Sequence, residues 1–167
     1  MKLEYPDLPS YEYENYDNFY GCVDYKGKIV LDIGSDYGST ASYFFKHKAI
    51  KVISVDGNKN YYDQLVDNFK YVPELIPIFR NIQTHEDIDS LILEYKPDVI
   101  KCDCDLCEVV MLNSPKEILR LVPEYVMETH STAIHTDFCK LFSDMNYVVK
   151  SDGRRSGDVW TTFWLRI

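Results

Sequence analysis

The stretch Asp32-Ile33-Gly34-Ser35-Asp36-Tyr37-Gly38 puts two glycines and two carboxylates within seven residues. Glycines let a chain turn tightly and let a ligand approach the backbone. A helix starting directly after them presents free N–H groups. Asp56 follows eighteen residues after Gly38, with Gly57 and Asn58 next. A carboxylate there can accept hydrogen bonds from both hydroxyls of a ribose. The spacing Gly-x-Gly-x-x-Gly, which seats a pyrophosphate on a helix N-terminus, is missing. Asp36 stands where that pyrophosphate would lie. Asp32 and Asp36 would repel a diphosphate; they suit a ligand carrying an ammonium and a sulfonium.

A second group of chemistry-bearing residues is Asp103, Asp105, Glu108, Glu128 and His130. Carboxylates or an imidazole within hydrogen-bond reach can take a proton from a hydroxyl. Crowded carboxylates also raise one another's pKa. Asp103, Asp105, Glu108 and His130 have the hard donors that suit Mg²⁺ or Mn²⁺, but no metal is expected. Cys102, Cys104 and Cys107 lack the paired spacing of zinc sites. Cys102 and Cys104 read as one face of a buried strand, where cysteine behaves as a small hydrophobe. With no export signal read at the N-terminus, all three thiols are expected reduced and metal-free, with a Cys104–Cys107 disulfide as the alternative if the source is a hyperthermophile. Arg154 and Arg155 read as solvated loop charges, with contact to an anionic acceptor as the alternative, and His47 and His85 read as surface residues at helix ends.

The elements that must position these groups follow from pattern. Lys28 to Ile33 is an apolar run ending in an acid, as in a strand buried on both faces. Ser39–Lys48 reads as a helix with Ala41, Phe44 and Phe45 inward. Lys51–Val55 and Leu75–Phe79 read as strands, and Asn58–Tyr71 as a helix. Thr84 with Asp87 caps a helix carrying Ile88, Leu91 and Ile92. Pro97–Asp103 and Tyr125–Glu128 read as strands, with Ser114-Pro115-Lys116-Glu117 opening a helix between them. Thr132–Met145 reads as a helix. Tyr147–Lys150 and Val159–Ile167 close the chain as strands, with Asp152-Gly153 in a hairpin-like link. Strands alternating with helices predict an α/β, Rossmann-like three-layer sandwich. Its seven-stranded sheet is mostly parallel, with a final antiparallel strand. Residues 1–27 are acidic and Tyr-rich and read as an arm packed on a single domain, 28–167.

The chain has 167 residues, 46% apolar and 27% charged. These are ordinary globular values and exclude disordered and fibrous classes. A formal charge of −9 argues against an extended nucleic-acid surface or an anionic-membrane surface. No run approaches the ~20 apolar residues of a membrane span. The setting expected is cytoplasmic.

S-adenosylmethionine carries the ammonium, sulfonium and ribose that the first group of residues suits. The whole pattern resembles a class I S-adenosylmethionine-dependent methyltransferase, and within that class the FkbM-type branch. Val30 to Thr40 is similar to the branch's first motif. Val52 to Asp56, with Asn58, Leu65, Asn68 and Phe69, resembles its second strand and helix. Ile100-Lys101-Cys102-Asp103-Cys104-Asp105-Leu106-Cys107-Glu108 resembles its Lys-hydrophobic-Asp-x-acid-Gly-Ala-Glu motif, with Leu106 and Cys107 in place of Gly and Ala. Glu128-x-His130 fits after the fifth strand.

The resemblance implies that Asp32, Gly34, Ser35, Asp36, Tyr37 and Gly38 surround the methionyl part. Asp56 would hold the ribose, Gly57 and Asn58 would border the adenine, and Asn81 and Ile82 would close over it. Asp103 would lie near the sulfonium, with Asp103, Glu108, Glu128 and His130 as catalytic candidates. The acceptor implied is an oxygen of a small molecule or glycan, and the reading leaves room for a homodimer. Two rivals are a non-catalytic S-adenosylmethionine-binding module needing a partner and a nicotinamide-dependent oxidoreductase.

Overall fold

The computed structural model describes residues 5–10 and 15–167; Tyr11 and Tyr13 of the Tyr-rich segment lie outside them. Seven strands form one mixed sheet: β1 (Ile29–Ile33), β2 (Lys51–Asp56), β3 (Leu75–Phe79), β4 (Val99–Cys102), β5 (Glu124–Thr129), β6 (Tyr147–Ser156) and β7 (Val159–Arg166). Their order is β3-β2-β1-β4-β5-β7-β6. The β1–β2, β2–β3 and β4–β5 pairs are parallel, and β7 runs antiparallel to both β5 and β6. This is the α/β, Rossmann-like sheet expected from the alternating pattern. The chain's contacts divide it into two units, Met1–Asn81 and Ile82–Ile167.

In the first unit, Val30, Leu31 and Ile33 are essentially fully buried, as a strand covered on both faces requires. Helix α1 (Tyr16–Tyr20) precedes β1; α2 (Ser39–Lys46) and α3 (Lys59–Asn68) follow β1 and β2. Ala41, Phe44 and Phe45 of α2 and Leu65 of α3 are buried. Tyr16 and Tyr20 are buried too, and Tyr16 Oη lies 2.8 Å from Ser39 Oγ. Tyr43 Oη donates to Asp17 Oδ1 at 3.0 Å. Burial, then this bond to Asp17, pushes the Tyr43 hydroxyl well above its usual range.

In the second unit, α4 (His85–Tyr95) starts with the capping box that Thr84 and Asp87 predict. The remaining helices are α5 (Glu108–Met111), α6 (Lys116–Leu119) and α7 (Thr132–Asp144). Phe138 and Phe142 of α7 are buried, with Phe142 stacked 4.9 Å from Trp164.

Three local expectations change. The helix after Ser114 is a single turn, and its N-cap position falls on Pro115 with no side-chain cap; the Ser114 hydroxyl is buried instead. Strand β4 ends at Cys102, so Cys104 is off the strand. The closing hairpin turns at Gly157-Asp158, not at Asp152-Gly153. Gly157 takes φ +52°, as the first residue of a two-residue hairpin turn must. Asp152 and Gly153 remain in β6, opposite Thr162 and Thr161, and Thr162 Oγ1 donates to Asp152 Oδ1 at 2.6 Å. That cross-strand bond holds the longer register.

Candidate functional site

The ends of β1, β2 and β3 and the loops after them carry the first set of candidates except Asp103, which follows β4; Ile82 and Asp103 fall in the second unit. Asp32, next to last in β1, is fully buried and accepts from Thr40 Oγ1 at 2.6 Å. It therefore ties the start of α2 to the strand. Gly38, at φ +99°, is the N-cap residue of α2. A Cβ there would stand 2.5 Å from Phe69 Cε2 and 2.8 Å from Leu65 Cδ1, so this turn requires glycine for both conformation and space.

Between them Asp36 adopts φ +48°, a left-handed conformation that Asp tolerates better than most residues. Its N–H donates to Asp56 Oδ2 at 2.9 Å, while Asp56 Oδ1 accepts from Asn58 N–H at 2.7 Å. Each Asp56 oxygen keeps a further lone pair for a ligand hydroxyl. Ser35 is fully buried, whereas Gly34, Asp36 and Tyr37 are half-buried. Tyr37 Oη donates to Pro9 O at 2.9 Å, so the ring is anchored to the N-terminal segment.

Gly57 packs against the loop after β3: a Cβ on it would lie 3.1 Å from Asn81 Cα. Asn81 is exposed, and Asn58 uses its side chain to cap α3 through Asn60 N–H. Asn58 therefore offers a ligand its backbone before its amide. Ile82 and Asp103 of the cofactor set belong to the second unit, where Ile82 is buried.

The second unit gathers the acid–imidazole group. Donor atoms of Asp103, Glu128 and His130 all lie within 4.8 Å of one another. Glu108, fully buried at the start of α5, accepts from His130 twice: from the backbone N–H at 3.2 Å and at Nδ1, 3.0 Å away. A carboxylate on Nδ1 fixes the ring and leaves Nε2 to face the other acids. Nε2 lies 3.4 Å from Glu128 Oε1 and 3.5 Å from Asp105 Oδ1.

Arg155 is the member that the sequence did not reveal. It is not a solvated loop charge: it sits on β6, its side chain only 15% exposed, ion-paired with Glu128. Its Nη1 is also 3.9 Å from Asp103 Oδ2. The β6–β7 register shifts between Arg154 and Ser156, and such a bulge redirects a side chain. Arg154 stays exposed and pairs with Asp158 at 3.1 Å. The guanidinium at Glu128 means that the cluster already contains a cation among its acids. Asp103, Glu128 and His130 offer the donors a divalent ion takes, but Arg155 competes for the same charge.

The cysteines depart from expectation. Cys104 and Cys107 form a disulfide with Cα atoms 5.4 Å apart. The one-turn geometry between β4 and α5 brings their side chains together, which a continued strand would have prevented. Cys22, Cys102 and Cys139 take no part in that bond, and Cys102 Sγ lies 3.6 Å from Cys104 Sγ. Elsewhere in this unit, Cys139 Sγ and Asp152 Oδ2 both lie 3.5 Å from His135 Nε2. Burial and the Asp152 charge push the Cys139 thiol up, so this group does not make an activated nucleophile.

No protein-family model matches the sequence, and no curated protein matches it. Solved structures do match its fold. A Streptococcus agalactiae protein of the NADB-Rossmann superfamily aligns with a TM-score of 0.68 at 15% identity, covering 96% of this chain and 70% of its own. Aeropyrum pernix fibrillarin, crystallised with natively bound S-adenosyl-L-methionine, aligns at 0.63 and 14%, covering 86% and 69%. The precorrin-6y C5,15-methyltransferase of Geobacter metallireducens aligns at 0.60 and 14%, covering 85% and 81%. The chain thus has a Rossmann-like fold, and its structural neighbours include S-adenosylmethionine-dependent methyltransferases. Among the described residues, no helix is long and apolar enough to cross a membrane.

Proposed function

We propose that this chain is a methyltransferase of the FkbM type, moving a methyl group from S-adenosylmethionine to an oxygen of a small molecule or glycan. The fold supports the class, and the motif from Ile100 to Glu108 supports the branch. The chemistry of the first unit's loops fits the cofactor. Asp56 offers a carboxylate that would suit a ribose, and a carboxylate at Asp36 would suit a sulfonium or ammonium better than a diphosphate.

When bound, S-adenosylmethionine supplies an electrophilic methyl that leaves by in-line displacement. The protein's share is mainly positioning, which can supply ~7–11 kcal/mol. Asp56 would accept from the ribose, Gly57 and Asn81 would border the adenine, and Asp36 would face the cationic end. In the second unit, Glu108 orients His130, and Asp103 or His130 would take the proton of the acceptor hydroxyl. Arg155 is ion-paired with Glu128, so proton abstraction would fall to Asp103 or His130.

The observation that carries the transfer step is the 3.0 Å contact of His130 Nδ1 with fully buried Glu108. An oriented imidazole is needed by a base and not by a mere binding module. The reading is tested by offering candidate hydroxyl acceptors with S-adenosylmethionine and measuring S-adenosylhomocysteine formed. Catalytic turnover with one acceptor supports it. A melting-temperature shift with NAD and none with S-adenosylmethionine would overturn it.

A further inference from the structure

The loop between β4 and α5 joins three unusual features. Cys104 and Cys107 are bonded across a separation of three residues, and both are half-buried, so a reductant can reach them. Inside the ring they close, Asp105 and Leu106 take φ +49° and +79° in succession. Residues with a Cβ avoid this region, and a branched apolar residue avoids it strongly. Leu106 is 56% exposed, so burial does little to hold it there. The disulfide and the turn's own hydrogen bond, Cys107 N–H to Cys104 O at 3.3 Å, close over this conformation. Beside it lies a third sulfur, the thiol of fully buried Cys102, 3.6 Å from Cys104 Sγ.

We propose that the Cys104–Cys107 disulfide is a redox-active site for a dithiol reductant, and that its reduction frees the loop carrying Asp103, Asp105 and Glu108. A thiolate of the dithiol attacks one sulfur of the pair, breaking the S–S bond and forming a mixed disulfide. The reductant's second thiol resolves it. The dithiol leaves as a disulfide, having lost two electrons and two protons, and Cys104 and Cys107 each gain one of each. With the ring open, Asp105 and Leu106 relax toward negative φ, and Asp105 withdraws from His130 Nε2, now 3.5 Å away. That this alters acceptor chemistry rests on the function proposed above; the redox step itself does not.

The test uses the intact chain and dithiothreitol as the dithiol. Alkylation after denaturation should label three cysteines in unreduced protein and five after dithiothreitol, returning to three on reoxidation. Chymotryptic cleavage after Leu106 should quicken at least tenfold on reduction, with the other sites unchanged. A Cys104→Ser, Cys107→Ser variant should be cleaved like the reduced protein under either condition. S-adenosylhomocysteine should raise the melting temperature of both forms equally; if it raises neither, the function proposed above fails while the redox result stands. Five labels without reductant would overturn the proposal. So would equal cleavage after Leu106 in both forms, or cleavage throughout the reduced chain, which would make the bond a structural staple.

Discussion

The backbone N–H of Asp36 is held by the carboxylate of Asp56 at 2.9 Å, across twenty residues of sequence. The glycine turn after β1 and the acid ending β2 are thus one unit before any ligand arrives. The same carboxylate also accepts from Asn58 N–H and so fixes the entry to α3.

Asp56→Ala should therefore cost twice: once in the fold, through two lost backbone partners, and once in ligand binding. A ligand present at 100 times its dissociation constant stabilises by about 2.7 kcal/mol. Differential scanning fluorimetry with S-adenosylhomocysteine should show that shift in the parent protein and most of it missing in the variant. An undiminished shift would mean that Asp56 does not touch the ligand.

Gly38→Ala meets two obstacles, φ +99° and the side chains of Phe69 and Leu65. A strained backbone position and overpacking each cost about 1–3 kcal/mol. Urea unfolding should place the variant about 2–4 kcal/mol below the parent. Equal midpoints would show that the turn yields easily.

Asp103→Asn should keep S-adenosylhomocysteine binding within about tenfold and lower single-turnover methyl transfer by at least ~10²-fold, the low end for losing a general base. His130→Ala should lower it more mildly. If Asp103→Asn turns over like the parent and His130→Ala does not, the imidazole on Glu108 is the base.

Arg155→Leu removes the cation from Glu128 and Asp103. Breaking a buried ion pair costs about 3–5 kcal/mol, and this one retains some exposure, so about 3 kcal/mol is expected. Adding Glu128→Gln should recover part of the loss. Additive effects in that double-mutant cycle would show that the pair is not energetically coupled.

His85 Nδ1 lies 2.8 Å from Asp89 Oδ2, and this bond raises the His85 pKa above its usual 6.5. The sign follows from the folded value lying above the unfolded one. The stabilisation is fully present below the unfolded pKa and fades as pH rises through the folded pKa. An NMR titration of the His85 ring should give a midpoint above 6.5, and Asp89→Asn should bring it back toward that value. A parent midpoint at or below 6.5 would sink the assignment.

Much of the architecture was legible along the chain because it is written in local periodicity. Val30 to Ile33 is buried on both faces, Thr84 and Asp87 form their capping box within one turn, and Leu75–Phe79 is bounded as read. The glycine turn and Asp56 were visible because a φ of +99° and a strand-ending acid restrict residue type at the position itself.

Tertiary structure alone decided the rest, because it depended on what met what across the sheet. Arg155 read as a loop charge because its partner Glu128 lies twenty-seven residues earlier, on a strand reached only through β7. The hairpin turned at Gly157 and not Gly153 because pairing with β7, including Thr162 to Asp152, stabilises a longer β6 than its polar sequence suggests. The thiols of Cys104 and Cys107 met because β4 stops at Cys102, and that end is not encoded in the alternation of Cys102 and Cys104. Residue type can announce a local conformation. It cannot announce which distant charge or strand will neutralise, lengthen or end an element, since those energies come from neighbours that sequence spacing does not fix.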